Sequence, residues 1–238
     1  MISFFHAVCY EPLYNGLIAL ISFLPGADIG IVVILFTILV KLILFPLSRK
    51  ASVMQAKMKE IEPELSEIKK KYTDDTKTQA EKTMEVYRKH KVNPFSSIFV
   101  VLVQLPIIFS LYYVFLKSGL PGINENLIYA FTPRPTEIHM NFLGFIDVGA
   151  KSTILAAFAG ITSFFQAMYA MPALSPRKEN ASFQDDLARG MHMQMKYVLP
   201  VIIFLISSSL AGVVALYWTT SNVFTIAQEF YIRKTKKQ

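Results

Sequence analysis

Residues 29–47 read IGIVVILFTILVKLILFPL, and this stretch decides the fold. Its one charged side chain is Lys41, and nearly all the others are apolar. A bilayer has a hydrocarbon core of roughly 30 Å, which a helix of about 20 mostly apolar residues can cross. The stretch therefore predicts a transmembrane helix.

Four more stretches of this kind follow it, and charge, Pro or Gly bounds each of them. Their predicted ranges are 95–116, 152–171, 197–208 and 213–232. Charged residues make up 17% of the chain, below the roughly 25% of globular domains, and they lie in blocks between the apolar runs. We expect residues 1–238 to form a single all-α membrane domain with five transmembrane helices.

The distribution of basic residues predicts the orientation. Lys and Arg accumulate in the cytoplasmic loops of membrane proteins. Of the 24 basic residues, 20 lie in residues 48–92, 172–196 and 233–238, which fall on one side if the helices alternate. We therefore expect a multi-pass protein of the cell membrane, with its N-terminus outside and its C-terminal basic tail, residues 233–238, in the cytoplasm.

Residues 1–27 contain no Lys or Arg. Within them, YEPLYNGLIALISFL at 10–24 begins with polar residues and is followed by Pro25 and Gly26. We interpret this segment as a helix on the outer membrane interface. A sixth span is the alternative, and it would place the N-terminus inside, against the distribution of charge.

Residues 48–92 carry an apolar stripe with a 4,3,4,3,4 spacing. Its members are Met54, Met58, Ile61, Leu65, Ile68 and Tyr72. A second amphipathic segment begins after Thr73-Asp74-Asp75, so we predict a cytoplasmic helical hairpin. Pro63 should bend or restart its first helix. The hairpin has an excess of positive charge, which fits either contact with anionic lipid headgroups or docking of a partner. We expect residues 172–196 to form a second cytoplasmic loop.

The charged side chain of Lys41 is energetically unfavourable inside a spanning helix. A lysine at the centre of a spanning helix costs roughly 2.5 to 3.5 kcal/mol on insertion scales. The predicted spans contain no acidic residue except Glu229, at the very end of the last one. Lys41 lies about six residues before the end of its span, so reaching the headgroups is one alternative. The other alternative is that water inside the membrane solvates the ammonium group of Lys41.

Polar residues in the other spans favour the second alternative. Trp218, Ser221, Thr225 and Gln228 follow a 3,4,3 spacing on one helix face, and Thr162 and Gln166 are four residues apart. Each hydroxyl or amide by itself could instead hold two helices together. Taken with Lys41, they predict a wet polar recess within the membrane. Its lining consists of Thr37, Lys41, Gln104, Thr162, Gln166, Trp218, Ser221, Asn222, Thr225 and Gln228.

The fourth predicted span, residues 197–208, is short. Its length is about 18 Å at 1.5 Å per residue, well below the usual hydrocarbon thickness. The bilayer could become thinner beside it. Alternatively, its helix continues back into the preceding loop and Pro200 marks a kink.

The sequence has no catalytic motif that we recognise, so we expect neither an enzyme nor a cofactor. HExxH, GxSxG and Walker-type motifs are absent, and one cysteine and four scattered histidines predict no metal site. We also expect no specific binding of nucleic acid. A small-solute transporter or channel, testable by solute flux in liposomes, and a membrane scaffold with one fixed partner remain alternatives.

Three segments resemble the YidC family of membrane protein insertases, relatives of the mitochondrial Oxa and chloroplast Alb insertases. They are LVKLILFPLSRKASVMQAKMKEIEPEL at 39–65, HKVNPFSSIFVVLVQLPIIFSLYYVF at 90–115 and LYWTTSNVFTIAQEFYIR at 216–233. The resemblance covers about residues 10–238 in the family's order of elements. The last two segments are specific as a pair, although each alone is a weak signal.

This resemblance implies an insertase that helps nascent membrane proteins to enter the bilayer, alone or beside the Sec translocon. It implies a groove open to the cytoplasm and the lipid, with the family's positive residue at Lys41, where Arg is usual. The family's groove-lining polar positions fall on Gln166 and Trp218. Nascent membrane proteins and membrane lipids are the implied partners, with the Sec translocon and the ribosome as further candidates.

Overall fold

The computed structural model describes residues 6–73, 75–93, 109–110, 113–114, 120–170, 190 and 193–235, and it is mostly helical. Most of the predicted span 95–116, including Gln104, and most of the loop 172–196 lie outside the described residues. The chain divides into two compact units. The first comprises Met1–Ile43 and Leu105–Tyr231, and the second comprises Leu44–Gln104 and Ile232–Gln238.

Seven α-helices are described. They are α1 (Glu11–Phe23), α2 (Ile29–Ile43), α3 (Phe45–Lys71), α4 (Thr76–Lys89), α5 (Thr153–Ala170), α6 (Leu199–Ser209) and α7 (Gly212–Thr235). π-Helical stretches, His6–Tyr10 and Gln194–Val198, precede α1 and α6, and Glu125–Leu127 form a 3₁₀ turn. A two-stranded antiparallel hairpin pairs β1 (Asn141–Phe142) with β2 (Ile146–Asp147).

The helix predicted across residues 29–47 ends earlier than expected. α2 ends at Ile43, and α3 begins at Phe45 with Pro46 in its first turn. Proline has no backbone N–H to continue the hydrogen bonds of the preceding helix, but it fits the first turn of a new one. A continuous helix to Leu47 was therefore the wrong expectation, and Pro46 was the signal against it.

The short segment 197–208 belongs to a longer helical stretch. Gln194–Val198 and α6 together give 16 consecutive helical residues, with Pro200 in the first turn of α6. This observation favours the alternative in which the helix continues back into the preceding loop.

Among the described residues, no helix is by itself both long and apolar enough to cross a membrane. Ile29–Ile43 and Phe45–Met54 meet the requirement only as a bent pair, and Thr153–Tyr169 and Gln194–Ser209 are shorter apolar helices.

In the first unit, the segment after residue 120 is fastened to α1 by Asn15. Its amide nitrogen donates to the carbonyl oxygens of Glu11, at 2.8 Å, and Leu127, at 2.7 Å. Its amide oxygen accepts from Tyr129 N at 2.7 Å and from Thr132 Oγ1 at 2.8 Å. Asn15 is only 5% exposed, and it joins parts of the chain more than 110 residues apart.

A second part of this segment joins the N-termini of three helices. Ile29 N at the start of α2 donates to His139 O, at 2.8 Å. Gly212 N and Val213 N at the start of α7 donate to Ala150 O and Val148 O, at 2.8 and 2.9 Å. Since α5 begins at Thr153, directly after this segment, α2, α5 and α7 all begin at the same end of the first unit.

In the second unit, α3 and α4 pack through an apolar cluster of Ile61, Leu65, Val86 and Val92. α3 continues through Pro63 instead of restarting there. Beside the cluster, the Glu64 carboxylate lies 3.0 Å from Lys89 Nζ and 2.9 Å from His90 Nε2. These two hydrogen bonds lower the pKa of Glu64 below its ordinary value. Asp75 caps α4 by accepting from Thr78 N at 3.0 Å.

Candidate functional site

Lys41 lies against the polar face of α7. Its Nζ is 3.4 Å from Thr225 Oγ1, across 184 residues of sequence. The Thr225 hydroxyl donates its hydrogen to Ser221 O at 2.8 Å, so it presents a lone pair to the ammonium group. Two predicted site residues from opposite ends of the chain therefore meet.

The predicted face of α7 divides by burial into two kinds of position. Ser221 and Gln228 are 6% and 7% exposed, whereas Trp218 and Thr225 are partly exposed. Lys41 is also partly exposed. Where Lys41 meets this face, the accessible groups are therefore a cation, an indole and a hydroxyl.

Asn222 connects α7 to α5. Its amide nitrogen donates to Ser163 Oγ at 2.7 Å and to Thr162 Oγ1 at 3.2 Å, and it lies 3.4 Å from Ala159 O. The Thr162 hydroxyl donates to Phe158 O at 2.7 Å, which leaves its lone pairs for Asn222. Since Asn222 is only 7% exposed, these bonds hold the two helices together.

The remaining predicted residues are placed differently. Thr37 is 1% exposed, and its hydroxyl donates to Val33 O in its own helix at 2.7 Å. The Thr37 hydroxyl therefore bonds to the helix backbone and does not line a polar recess, because Thr37 lies on the packed side of α2. Gln166 is partly exposed on α5. Gln104 lies outside the described residues.

A cleft of about 550 Å³ lies elsewhere, at the end where α2 begins. It is lined by Gly26, Ala27, Asp28, Ile31, Ile138, His139, Met140, Asn141 and Gly144. None of the predicted site residues contributes to it. Lys41 lies about 18 Å along α2 from its first residue, which places the predicted site toward the other end of the helix.

Sequence reasoning missed two residues that shape this unit. Ser163 is the nearest partner of Asn222, and Asn15 fastens the segment after residue 120 to α1. The spacing of Ala159, Ser163 and Gln166 places Ser163 on one helix stripe with a predicted site residue, so periodicity could have identified it. No local pattern marks Asn15, because three of its four partners are far away in the sequence.

Comparison with known proteins gives a family. The model of the 60Kd inner membrane protein family matches residues 20–238. The chain is 32% identical to the membrane protein insertase YidC of Fusobacterium nucleatum subsp. nucleatum over 228 residues, which are 93% of this chain and 97% of that protein. It is 28% identical to YidC of Clostridium tetani over 214 residues, covering 90% and 86% of the two chains.

A third relative is the membrane protein insertase MisCA of Bacillus subtilis, 30% identical over 225 residues, covering 92% of this chain and 76% of that protein. The residues that the family model matches include α2, α5, α6 and α7, with Lys41 and Thr225 among them. The chain belongs to the 60Kd inner membrane protein family, the YidC-type membrane protein insertases of the cell membrane.

Proposed function

We propose that this insertase moves nascent membrane proteins into the bilayer through a polar groove whose charged element is Lys41. The observation that carries the proposal is the contact of Lys41 Nζ with Thr225 Oγ1 at 3.4 Å. This contact supports the proposal because it joins the cation of α2 to a hydroxyl on the polar face of α7.

The depth of the polar residues supports a groove instead of isolated contacts. Lys41 and Thr225 lie about 18 and 20 Å from the first residues of α2 and α7, which begin at the same end. Asn222 and its partner Thr162 lie about 15 and 14 Å along α7 and α5. Polar groups of three helices thus occupy neighbouring levels, from the middle of the unit into the half farther from the helix N-termini.

In the proposed topology, that half faces the cytoplasm. The common end of α2, α5 and α7 supports it, because helices that alternate across a membrane place every second N-terminus on the same side. α1 is 13 residues long, about 20 Å, and Leu17 and Ile18 in it are fully buried. Asn15 binds α1 to the segment after residue 120, which lies outside in this topology, and this contact favours the interfacial helix over a sixth span.

The mechanism follows from electrostatics. An incoming segment with a short acidic outer tail enters the groove from the cytoplasm, and Lys41 attracts the tail. This attraction lowers the desolvation cost of moving carboxylates partway across the membrane. The apolar part of the segment then moves into lipid, the better solvent for it, so the cycle needs no covalent step.

The partners follow from the same proposal. Nascent membrane proteins are the substrates, and lipid receives them. The Sec translocon and the ribosome are proposed as further partners, with α3, α4 and the basic tail 233–238 as the surfaces on which they would act. Deletion of residues 53–88 tests the contribution of the two helices.

The decisive experiment reverses the charge at position 41. In proteoliposomes, Lys41→Glu should lower insertion of a substrate with an acidic tail by at least about tenfold, since 1.4 kcal/mol is worth a factor of ten. Lys41→Arg should retain insertion because it keeps the charge. The same substrate with a neutral tail should be affected much less.

The matched control is Lys151→Glu, an exposed position in the same unit, which makes the same change in net charge. If this variant loses insertion as strongly as Lys41→Glu, the effect is one of global charge. If Lys41→Ala inserts acidic-tailed substrates normally, the electrostatic mechanism is wrong. Crosslinking of stalled nascent chains to a probe at position 41 tests contact with substrate directly.

A further inference from the structure

The turn between β1 and β2 exposes two large apolar side chains. Leu143 is 57% exposed and Phe145 is 75% exposed. Leu143 and Gly144, between the strands, have φ angles of 54° and 81°, in the left-handed region. Glycine, asparagine and aspartate ordinarily occupy such positions, because the Cβ of other residues crowds the backbone there. The requirements of the turn therefore do not explain a leucine at position 143.

The tip, defined as residues 143–145, is held at the first turn of α2. Asp28 Oδ1 accepts from Ile31 N at 2.8 Å, and Asp28 Oδ2 accepts from Leu143 N at 3.2 Å. One carboxylate therefore binds the start of α2 and the tip. The Phe142 ring occupies the space that a side chain on Gly30 would need, so the hairpin packs directly on the helix backbone.

The tip thereby continues an apolar surface. On α2, Ile31, Leu35, Leu39 and Leu42 are exposed with a 4,4,3 spacing. On α5, exposed apolar side chains follow a 4,3,4,3 spacing: Ile154, Phe158, Ile161, Phe165 and Met168. In a protein of the cell membrane, such stripes face acyl chains. Ile31 and Ile154 are the members nearest to the helix N-termini. The backbone N–H groups of Ile31 and Leu143 bind the same Asp28 carboxylate, so the tip is held at the end of the α2 stripe.

We propose that the tip inserts into the headgroup region of the leaflet at the N-terminal ends of α2 and α5, with lipid as its partner. The hairpin is suited to this role because its two ends differ. Asn141 and Asp147 pair at its polar base, and Leu143 and Phe145 form its apolar end. An apolar end with a polar base is the arrangement of a membrane-interface anchor. The anchor depends on the membrane location of the family and not on the groove.

The test measures the depth of position 145 in the full-length chain. Cys9→Ser removes the one cysteine, and Phe145→Cys then carries an environment-sensitive fluorophore in vesicles of phosphatidylcholine and phosphatidylglycerol. Nitroxide on the lipid headgroup region should quench this label at least about twofold more than a label at Glu137→Cys, an exposed position in the same segment. Aqueous iodide should show the reverse order.

Two results would overturn the proposal. If iodide reaches position 145 as well as position 137, the tip lies in water. If position 145 is protected from iodide but nitroxide lipid does not quench it, protein covers the tip instead of lipid. Normal insertion of acidic-tailed substrates in either case would leave the groove proposal intact, so the two failures are distinguishable.

A second variant tests whether the side chain of Leu143 contacts lipid or only forms part of a turn. Leu143→Asn suits the left-handed backbone and removes the apolar side chain. Under the proposal, it should lower lipid quenching of the label at position 145 by about twofold, while the thermal midpoint in detergent stays the same or rises. If quenching is unchanged, Leu143 makes no contact with lipid and the proposal fails for that residue.

Discussion

The bonds of Asn15 and the contact of Lys41 with Thr225 are both long-range polar interactions, but they differ in geometry. Asn15 makes four hydrogen bonds of 2.7 to 2.8 Å at 5% exposure, and three of them are long-range. Lys41 and Thr225 are partly exposed and 3.4 Å apart, longer than the usual 2.7 to 3.2 Å. Short bonds on a buried amide fix one structure, whereas a long contact on an accessible cation can yield to a substrate carboxylate. Asn15 is therefore a residue that holds the fold together, here called the lock, whereas Lys41 is a candidate binding group.

The largest effect should come from breaking the lock. Asn15→Leu leaves part-buried groups such as Leu127 O and Tyr129 N without their bonds, at roughly 3 kcal/mol in total. We expect a large fall in the thermal midpoint in detergent. Insertion should fall equally for acidic-tailed and neutral-tailed substrates, because only the folded fraction changes. A loss confined to acidic tails would mean that Asn15 takes part in charge recognition.

Removal of the hydrogen bonds between α5 and α7 should lower the stability less than the loss of the Asn15 bonds does. Asn222→Leu should cost about 1 kcal/mol, the scale of interhelical hydrogen bonds in membranes. Since Ser163 Oγ is the nearest partner of Asn222, Ser163→Ala in the same chain should add little further loss. Denaturation of the single and double variants in detergent gives the double-mutant cycle that measures the coupling between Asn222 and Ser163. Fully additive losses would show that the two side chains do not interact.

Thr225 should have a smaller effect that depends on the substrate. Thr225→Val keeps the shape but removes the hydroxyl that contacts Lys41, and we expect about a threefold loss of insertion for acidic tails, below 1 kcal/mol. Thr225→Ser should restore insertion. The ratio of acidic-tailed to neutral-tailed insertion is the measurement. An equal loss for both substrates would assign Thr225 a packing role.

The smallest effect should be a pH dependence in the second unit. Hydrogen bonds from Lys89 and His90 lower the pKa of Glu64 in the folded protein, so its contribution is present above the ordinary pKa of glutamate, about 4.3. That contribution is lost as the pH falls through the lowered value. Helical content followed by circular dichroism should decrease slightly there, and Glu64→Gln should remove that part. An unchanged profile in Glu64→Gln would assign the transition to other carboxylates.

Sequence reasoning predicted much of this molecule where the signal was local. Hydropathy gave helices close to α5 and α7, and spacing gave the face of α7 that meets Lys41. The end of α2 was missed because a hydropathy run does not register a single residue such as Pro46. Asn15 and Ser163 were missed because their importance arises from partners that only the fold brings near.

The role predicted for Thr37 shows a second difficulty. Its position one turn before Lys41 suggested a shared face, but four residues span 400° of helix, so the two side chains are about 40° apart around the axis. Thr37 lies in the packed interior at 1% exposure, whereas Lys41 is partly exposed. Periodicity alone does not determine which edge of a stripe is buried.

The segment that joins the starts of α2, α5 and α7 has a mechanical consequence. Backbone hydrogen bonds of 2.8 and 2.9 Å tie α2 and α7 to this segment, and α5 follows directly from it. Because Asn222 also holds α5 to α7, α2 can separate from this pair only by pivoting about the joined end. Their separation then changes least beside the joined end and increases with distance along the helices. A guest segment would find the most room at the depth of Lys41 and beyond it, while the joined end stays closed.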